Sequence, residues 1–359
     1  MSRPVLFVTN HAPAFRVGAF ARLHALEDVV FALVGGTVRH GGGASGEDEL
    51  PFPVLRPPQR HVGRLAASGR FRAVVAGLSG RVALPAAYVG ARLAGVPFVL
   101  WATIWRHPRT AAHALSYVPL RHLYRHADAI ATYGPHVSAY VRSKHPRGPL
   151  FEAPQSVDGA FWSAPTEARR RAPFQVLFAG RLQREKGVDT LLAAWRASGL
   201  PASDAALVMV GDGPLRASAA AAGALIPDAP IAPVDVRAYY AGSDVVVVPS
   251  IPTRDFLEPW GLVVNEAFHR GVPVVATTAV GAAAGGLVQH ERTGLVVPPG
   301  DAAALAAALR RLHGDPALRA RLGAAGRRAV QVHSHEAWAR GMQGALHAAE
   351  AARRRESGC

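Results

Sequence analysis

Cysteine and lysine are almost missing from this chain. The single cysteine is the last residue, Cys359, so no disulfide can form within the chain, and a reducing, cytoplasmic compartment is the expectation. Lysine occurs only at Lys144 and Lys186, although Lys and Arg together number 40. Acidic residues are also scarce, 25 against those 40, and the formal net charge is +15. Such a bias fits an anionic substrate, an anionic lipid surface or nucleic acid. It also fits a plain codon bias towards Arg, Ala and Gly. No basic run carries interleaved aromatics, so nucleic acid is not an expected partner, whereas peripheral association with the inner face of an anionic membrane stays open. No Asp-x-Asp occurs anywhere, which removes the usual carboxylate pair for holding a metal on a diphosphate. Long apolar runs are missing too. The longest uncharged stretch, 271–289, is crowded with Gly, Ala and Thr and holds Pro273, so it reads as strand plus loop and not as a membrane span. The short apolar run at 5–8 lacks the length of a signal-peptide core.

What is present is an alternation. At 359 residues the chain is too long for one ordinary core, so two domains are expected. Short apolar runs at 4–9, 29–34, 71–76, 97–101 and 127–132 alternate with helical segments such as 17–26. Strands buried on both faces read as continuous apolar runs, the mark of a parallel sheet under helices. Residues 40–50 read as a Gly-rich, acidic loop. Residues 163–173 carry Pro, three Arg and no apolar period, which predicts a linker. Beyond it the pattern restarts, with strands at 174–178, 206–210, 244–249 and 272–276 and helices at 188–197, 214–222, 262–269 and 301–312. The fold class expected is α/β, with two doubly wound, Rossmann-like domains facing a cleft. The first would span 1–162 and the second 174–332, and an Ala-rich helix at 333–354 would close the chain.

Three constellations carry chemistry. In Gly180-Arg181-Leu182-Gln183-Arg184-Glu185-Lys186-Gly187, one of the two lysines stands in a Gly-flanked loop between a strand and a helix. An Arg fork and a Lys point charge five residues apart can clamp a diphosphate, or they are two solvated charges. The order of a P-loop is missing. In Glu258-Pro259-Trp260-Gly261-Leu262-Val263-Val264-Asn265-Glu266, two carboxylates bracket a turn that ends where a helix begins. Amides at that helix start suit an anion. The carboxylates could serve hydroxyl-rich groups on either side, act as a glycosidase pair, or be ordinary residues at a helix start. The third, Val210-Gly211-Asp212-Gly213-Pro214, half-matches a dinucleotide fingerprint, but Arg216 replaces its last glycine, and a structural turn accounts for it. His122 and His126 lie four apart without the Glu or third ligand of a zinc site.

Taken in order, these pieces resemble the retaining glycosyltransferases of the GT-B fold, glycosyltransferase family 4. The resemblance covers roughly 173–312. It is carried by Gly180-Arg181-Leu182, Glu185-Lys186-Gly187, the 210–216 and 244–250 segments, the spacing of Glu258 and Glu266, Gly271-Val-Pro-Val-Val-Ala-Thr and Thr293-Gly-Leu-Val-Val-Pro-Pro-Gly-Asp301. It implies that Arg181 and Lys186 hold a donor diphosphate, Glu258 meets the transferred sugar, and Glu266 accepts from the ribose. Amides near Gly261, Leu262 and Val263 would meet the distal phosphate or sugar, and amides from Gly281 to Gly286 would supply one more sugar contact. In the first half, the family's Gly-Gly loop is reduced to Gly18, and its histidine after the fourth strand is replaced in register by Thr103, with His107 four residues later. These three are the candidates on that side. The last helix is expected to return to the first domain. The implied activity is metal- and cofactor-free, retaining transfer of a sugar from a nucleotide-sugar to a glycan, lipid-linked or small-molecule acceptor. A sugar-nucleotide epimerase and a non-catalytic nucleotide-sugar-binding partner are the alternatives.

Overall fold

The computed structural model describes residues 3–35, 50–78, 80, 82–228 and 231–357. The expected loop at 40–50 therefore falls almost wholly outside the described residues. The chain divides into two compact units, Met1–Ser156 with His333–Cys359, and Val157–Val332.

The first unit is a parallel sheet under helices. Its elements are β1 (Val5–Thr9), α1 (Ala14–Glu27), β2 (Val29–Leu33), β3 (Val54–Leu55), α2 (Val62–Ala66), β4 (Ala73–Gly77), α3 (Ala83–Leu93), β5 (Phe98–Ala102), α4 (Ala111–His126), β6 (Ala129–Thr132), α5 (Pro135–Arg142) and β7 (Leu150–Glu152). The strand order is β3-β2-β1-β4-β5-β6-β7. Val5 stands in register with Val29 on one side and Ala73 on the other, both pairings parallel. Every residue of β1, β4 and β5 is buried, which is why those segments read as unbroken apolar runs. The order reverses direction between β1 and β4, and such switch points place ligands at the carboxyl ends of the strands.

The terminal helix, His335–Ser357, belongs to this unit and lies against α1 and strands β4 to β7. Trp338, Met342, Leu346 and Ala349 are all fully buried, a helical stripe at spacings of four, four and three. Trp338 joins an aromatic cluster with Phe7, Phe20 and Trp101. Burying each large side chain of this stripe contributes roughly 1.5–3 kcal/mol. Arg72 ties the helix down by pairing with both Glu350 and, at 2.5 Å, Glu27 of α1.

The second unit contains α6 (Gly159–Ser163), β8 (Phe174–Ala179), α7 (Val188–Ser198), β9 (Ala205–Val210), α8 (Arg216–Ala221), α9 (Pro233–Ala241), β10 (Val245–Val248), α10 (Val263–His269), β11 (Val274–Thr277), α11 (Gly281–Ala284), β12 (Gly294–Val297), α12 (Ala302–Gly314) and α13 (Pro316–Ala329). Its sheet runs β12-β11-β10-β8-β9, with the switch between β8 and β10. The loops that follow those two strands carry the 180–187 and 258–266 motifs, so the topology sets them side by side.

The break between units, at Ser156–Val157, comes ahead of the linker expected at 163–173. That segment is held along the second unit. The Arg169 amide donates to the Ala238 carbonyl at 2.9 Å, and Gln175 Nε2 donates back to the Arg169 carbonyl at 3.1 Å. Arg170 pairs with Asp244 at 2.7 Å. Among the described residues no helix is long and apolar enough to cross a membrane.

Candidate active site

Lys186 is placed by a short 3₁₀ turn, Arg184–Lys186, closed by Gly187. Gly187 has a φ of +72°, and a Cβ there would lie 1.9 Å from the Pro249 carbonyl oxygen. No other residue fits that position without moving the loop after β10. The two loops are also joined directly, the Ile251 amide donating to the Glu185 carbonyl at 3.0 Å.

This joint brings Lys186 to Glu258, 72 residues on. Lys186 Nζ meets Glu258 Oε2 at 2.5 Å, and Ser250 Oγ donates to the same oxygen at 3.0 Å. Glu258 is buried, 7% exposed. A buried carboxylate with a cation and a hydroxyl on one oxygen has its charge compensated. The ammonium also sits 5.1 Å from the ring centroid of Phe256. The turn behind Glu258 is rigid. Trp260 is buried and its indole N–H donates to buried Asn265 Oδ1 at 2.7 Å. Gly261 takes a φ of +93° before α10 begins. The Leu262 and Val263 amides lie at that helix start, ahead of the first intrahelical bond, Glu266 to Leu262.

Glu266 faces a different partner. Tyr240 of α9 donates its hydroxyl to Glu266 Oε2 at 2.5 Å. The residue as a whole keeps some exposure, but its carboxyl lies deep. Burial pushes that carboxyl from 4.5 up to about 7, against the opposing effect of the Tyr240 hydrogen bond. Burial also drives the Tyr240 hydroxyl well above its ordinary range, with the neighbouring carboxylate adding to it.

Other expected residues are placed differently. Arg181 is exposed and turns to Glu185 at 3.6 Å, four residues along the same loop, and it stays outside the Lys186–Glu258 pair. Gly281 does not offer its amide to a ligand. That amide donates to the Glu258 carbonyl at 3.1 Å, and the amides of residues 282–286 are likewise taken by backbone carbonyls. A Cβ on Gly281 would stand 2.0 Å from the Pro259 carbonyl oxygen, so this glycine serves the close approach of α11 to the 258–261 turn. Gly18 is not in a loop. It lies inside α1, where a Cβ would meet the His335 ring at 2.3 Å, so it is a packing contact with the terminal helix. Thr103 follows β5 and is half-buried. His107 donates from Nε2 to the His113 carbonyl at 2.7 Å and lies against Tyr117. His122 and His126 stack on each other, ring centroids 4.1 Å apart. Ser250 and Tyr240 were not singled out from the sequence. Ser250 closes the quoted 244–250 segment, whereas nothing in sequence marks Tyr240.

A sequence model for the family described as glycosyl transferases group 1 matches residues 173–315, which include Arg181, Lys186, Glu258 and Glu266. A GDP-mannose-dependent alpha-(1-6)-phosphatidylinositol monomannoside mannosyltransferase of Mycobacterium tuberculosis is 32% identical over 303 residues, covering 77% of this chain and 75% of that one. The chain belongs to the group 1 glycosyltransferases. A D-inositol 3-phosphate glycosyltransferase of Pseudarthrobacter chlorophenolicus is 36% identical over 191 residues, which is 48% of this chain and 44% of that protein. The match therefore spans less than half the length of that relative. Among solved structures, Anabaena HepE in complex with UDP-glucose superposes with a TM-score of 0.74 at 17% identity, over 96% of this chain and 100% of that one. The trehalose 6-phosphate synthase of Burkholderia multivorans gives 0.75 at 14% identity, over 99% and 98%. These likenesses show the GT-B fold. In this chain the paired loops after β8 and β10 are where the switch point of the sheet and the charged side chains coincide.

Proposed function

We propose that the chain is a retaining, metal-independent glycosyltransferase that moves a sugar from a nucleotide-diphosphate donor to an acceptor hydroxyl. The observation that carries this reading is the Lys186–Glu258 pair at the switch point of the second sheet. Lys186 has three N–H donors and gives one to Glu258, so it can also hold a diphosphate oxygen. Arg181, exposed on the same loop, would swing to the diphosphate, and the Leu262 and Val263 amides would add their dipoles beside Gly261. Glu258 would accept hydrogen bonds from the transferred sugar, and Glu266 from the ribose. In the transfer step the bond from the anomeric carbon to phosphate oxygen breaks, and a bond from that carbon to the acceptor oxygen forms on the same face. A leaving-diphosphate oxygen takes the acceptor's proton. Lys186 and Arg181 offset the charge left on the diphosphate.

HepE was crystallised with UDP-glucose and with UDP, which supports a nucleotide-sugar as donor. The names of the two relatives share an inositol that carries a phosphate, which supports an acceptor of that chemistry, free or lipid-linked. Peripheral association with an anionic membrane belongs to the same reading. It is supported by the charge of +15 and by Leu115 and Val118, 84% and 72% exposed on α4 beside Arg121. Incubation with a panel of nucleotide-sugars and soluble polyol phosphates, followed by NMR of the product anomer, tests the reading. A transferred sugar with retained configuration is expected. An inverted product, or a stereoisomer of the donor formed without acceptor, overturns it. Sedimentation with anionic vesicles tests the membrane element.

A further inference from the structure

Arg16 has unusual surroundings for a charged residue. It is the third residue of α1 and only 5% exposed. Its Nη2 donates to the Tyr133 hydroxyl at 2.8 Å. Its guanidinium carbon lies 4.7 Å from the Trp101 ring centroid and 5.3 Å from that of Tyr133. Burial lowers its proton affinity, and Tyr133 offsets this only in part. Among the described residues Arg16 forms no ion pair, and its Nη1 has no hydrogen-bond partner. Trp101, the ring beneath it, is 4% exposed, and its indole N–H is also unpartnered.

Other arginines of this unit are treated differently. Arg72 pairs with Glu27 and Glu350, and Arg92 pairs with Asp128 at 2.8 Å, although both are less buried than Arg16. A guanidinium removed from water without a counter-charge is destabilising, and a missing hydrogen bond on a buried donor adds to that. Stacking on aromatic rings leaves the in-plane N–H fork as its binding edge. The two open groups, Nη1–H and Nε1–H, can only donate. The position fits a ligand site as well. Arg16 follows β1, Trp101 is near the end of β5, and Tyr133 follows β6, all at the carboxyl edge of the sheet, where doubly wound folds take ligands. A neutral hydroxyl would satisfy the donors but leave the charge; a compact oxyanion answers both.

We propose that Arg16 and Trp101 form an anion subsite in the first unit that receives the phosphate group of the acceptor. The word acceptor rests on the transferase reading above, but phosphate binding can be read without turnover. The experiment is calorimetry on the full chain with inorganic phosphate and with a soluble polyol phosphate, ionic strength held constant with chloride. Saturable binding to the wild type is expected. Arg16→Met should weaken it at least tenfold, and Arg16→Lys, which keeps the charge but not the fork, should fall between. Nucleotide-sugar affinity should be unchanged in both. Arg16→Met should also melt no lower than the wild type in the absence of phosphate, since it removes an uncompensated buried charge; a purely structural arginine would give a lower melting temperature. If Arg16→Met does not fold, Trp101→Phe keeps the charge, loses one donor, and should bind phosphate several-fold more weakly. The proposal is overturned if the wild type shows no saturable binding, if these variants bind as well as it does, or if a nucleotide-sugar displaces the phosphate. Stronger binding of the polyol phosphate than of inorganic phosphate identifies the acceptor as the source; equal binding shows a site for free phosphate and overturns the acceptor assignment.

Discussion

If Glu266 accepts from the donor's ribose as proposed, its burial makes donor binding depend on pH in a direction that can be worked out. Burial holds the Glu266 carboxyl at about 7 instead of 4.5. The folded protein therefore keeps a proton over a range in which the unfolded chain has lost it. That contribution is fully present below about pH 4.5, and it is lost as pH rises towards 7. Above 7 the fold carries a desolvated carboxylate at a cost on the order of 3 kcal/mol. Glu266→Gln removes the cost, so at pH 8 the variant should be the more stable protein by up to about that amount, with the gap closing near pH 5. A ribose hydroxyl donating to Glu266 favours the ionised form, so the donor has the opposite preference. At pH 6 only about one carboxylate in ten is ionised if its midpoint is 7, and affinity for the donor should be roughly five- to tenfold lower than at pH 8. A nucleotide-sugar is the right probe, because its diphosphate diester does not titrate in this range whereas a free nucleoside diphosphate does. Calorimetry near pH 6.5 in two buffers of different ionisation heat should show protons released on binding by the wild type and none by Glu266→Gln. A pH-independent affinity in the wild type, or an equal slope in Glu266→Gln, would refute the reasoning.

Lys186→Ala should lose donor affinity by a few kcal/mol, the range for a desolvated charge-assisted contact, and should melt lower than the wild type because buried Glu258 loses its counter-charge; unchanged affinity in a titration with nucleotide-sugar would remove Lys186 from the diphosphate. Glu258→Gln separates binding from transfer. It takes a negative charge from beside Lys186, so nucleotide affinity should hold or improve while single-turnover transfer falls by orders of magnitude. Deleting residues 335–357 should abolish folding of the first unit, read by circular dichroism and solubility. The deletion strips Trp338, Met342 and Leu346 from the core, roughly 1.5–3 kcal/mol each, which approaches the whole stability of a typical domain, about 5–15 kcal/mol.

Much of the sheet architecture is legible because a parallel strand covered on both faces must be apolar at every position. The runs at 4–9, 71–76 and 97–101 gave β1, β4 and β5 to within two residues. Edge strands break that logic. Val54–Leu55 and Leu150–Glu152 are short and only partly buried, so no run announces them. The arginines at 169–171 read as a solvated linker because their acids are distant in sequence. Asp235 and Asp244 receive Arg169 and Arg170 across more than sixty residues, and no local pattern encodes such a pairing. The role of Gly18 is hidden in sequence for the same reason. Its tightness comes from His335, at the far end of the chain, not from a loop beside it.

The candidate site divides along the same line, and the division has a chemical cause. On the proposed reading the donor side would be built from what a diphosphate and a ribose demand of any protein: a glycine that lets two loops approach, a point charge in one of them, and carboxylates at fixed offsets around a helix start. Those demands act over a few residues, so Gly187, Lys186, Glu258 and Glu266 are visible in sequence. Scarcity sharpened one of them, since a lysine is conspicuous among so many arginines. Their partners Ser250 and Tyr240 are set by packing between elements and are visible only in the fold. On the first unit abundance has the opposite effect. Arg16 carries no mark that separates it from the other arginines in the sequence. What distinguishes it is the lack of a carboxylate partner among the described residues, a stacked tryptophan from β5 and a tyrosine from beyond β6. A residue marked by having no counter-charge among the described residues can be recognised only in the fold, not in the sequence.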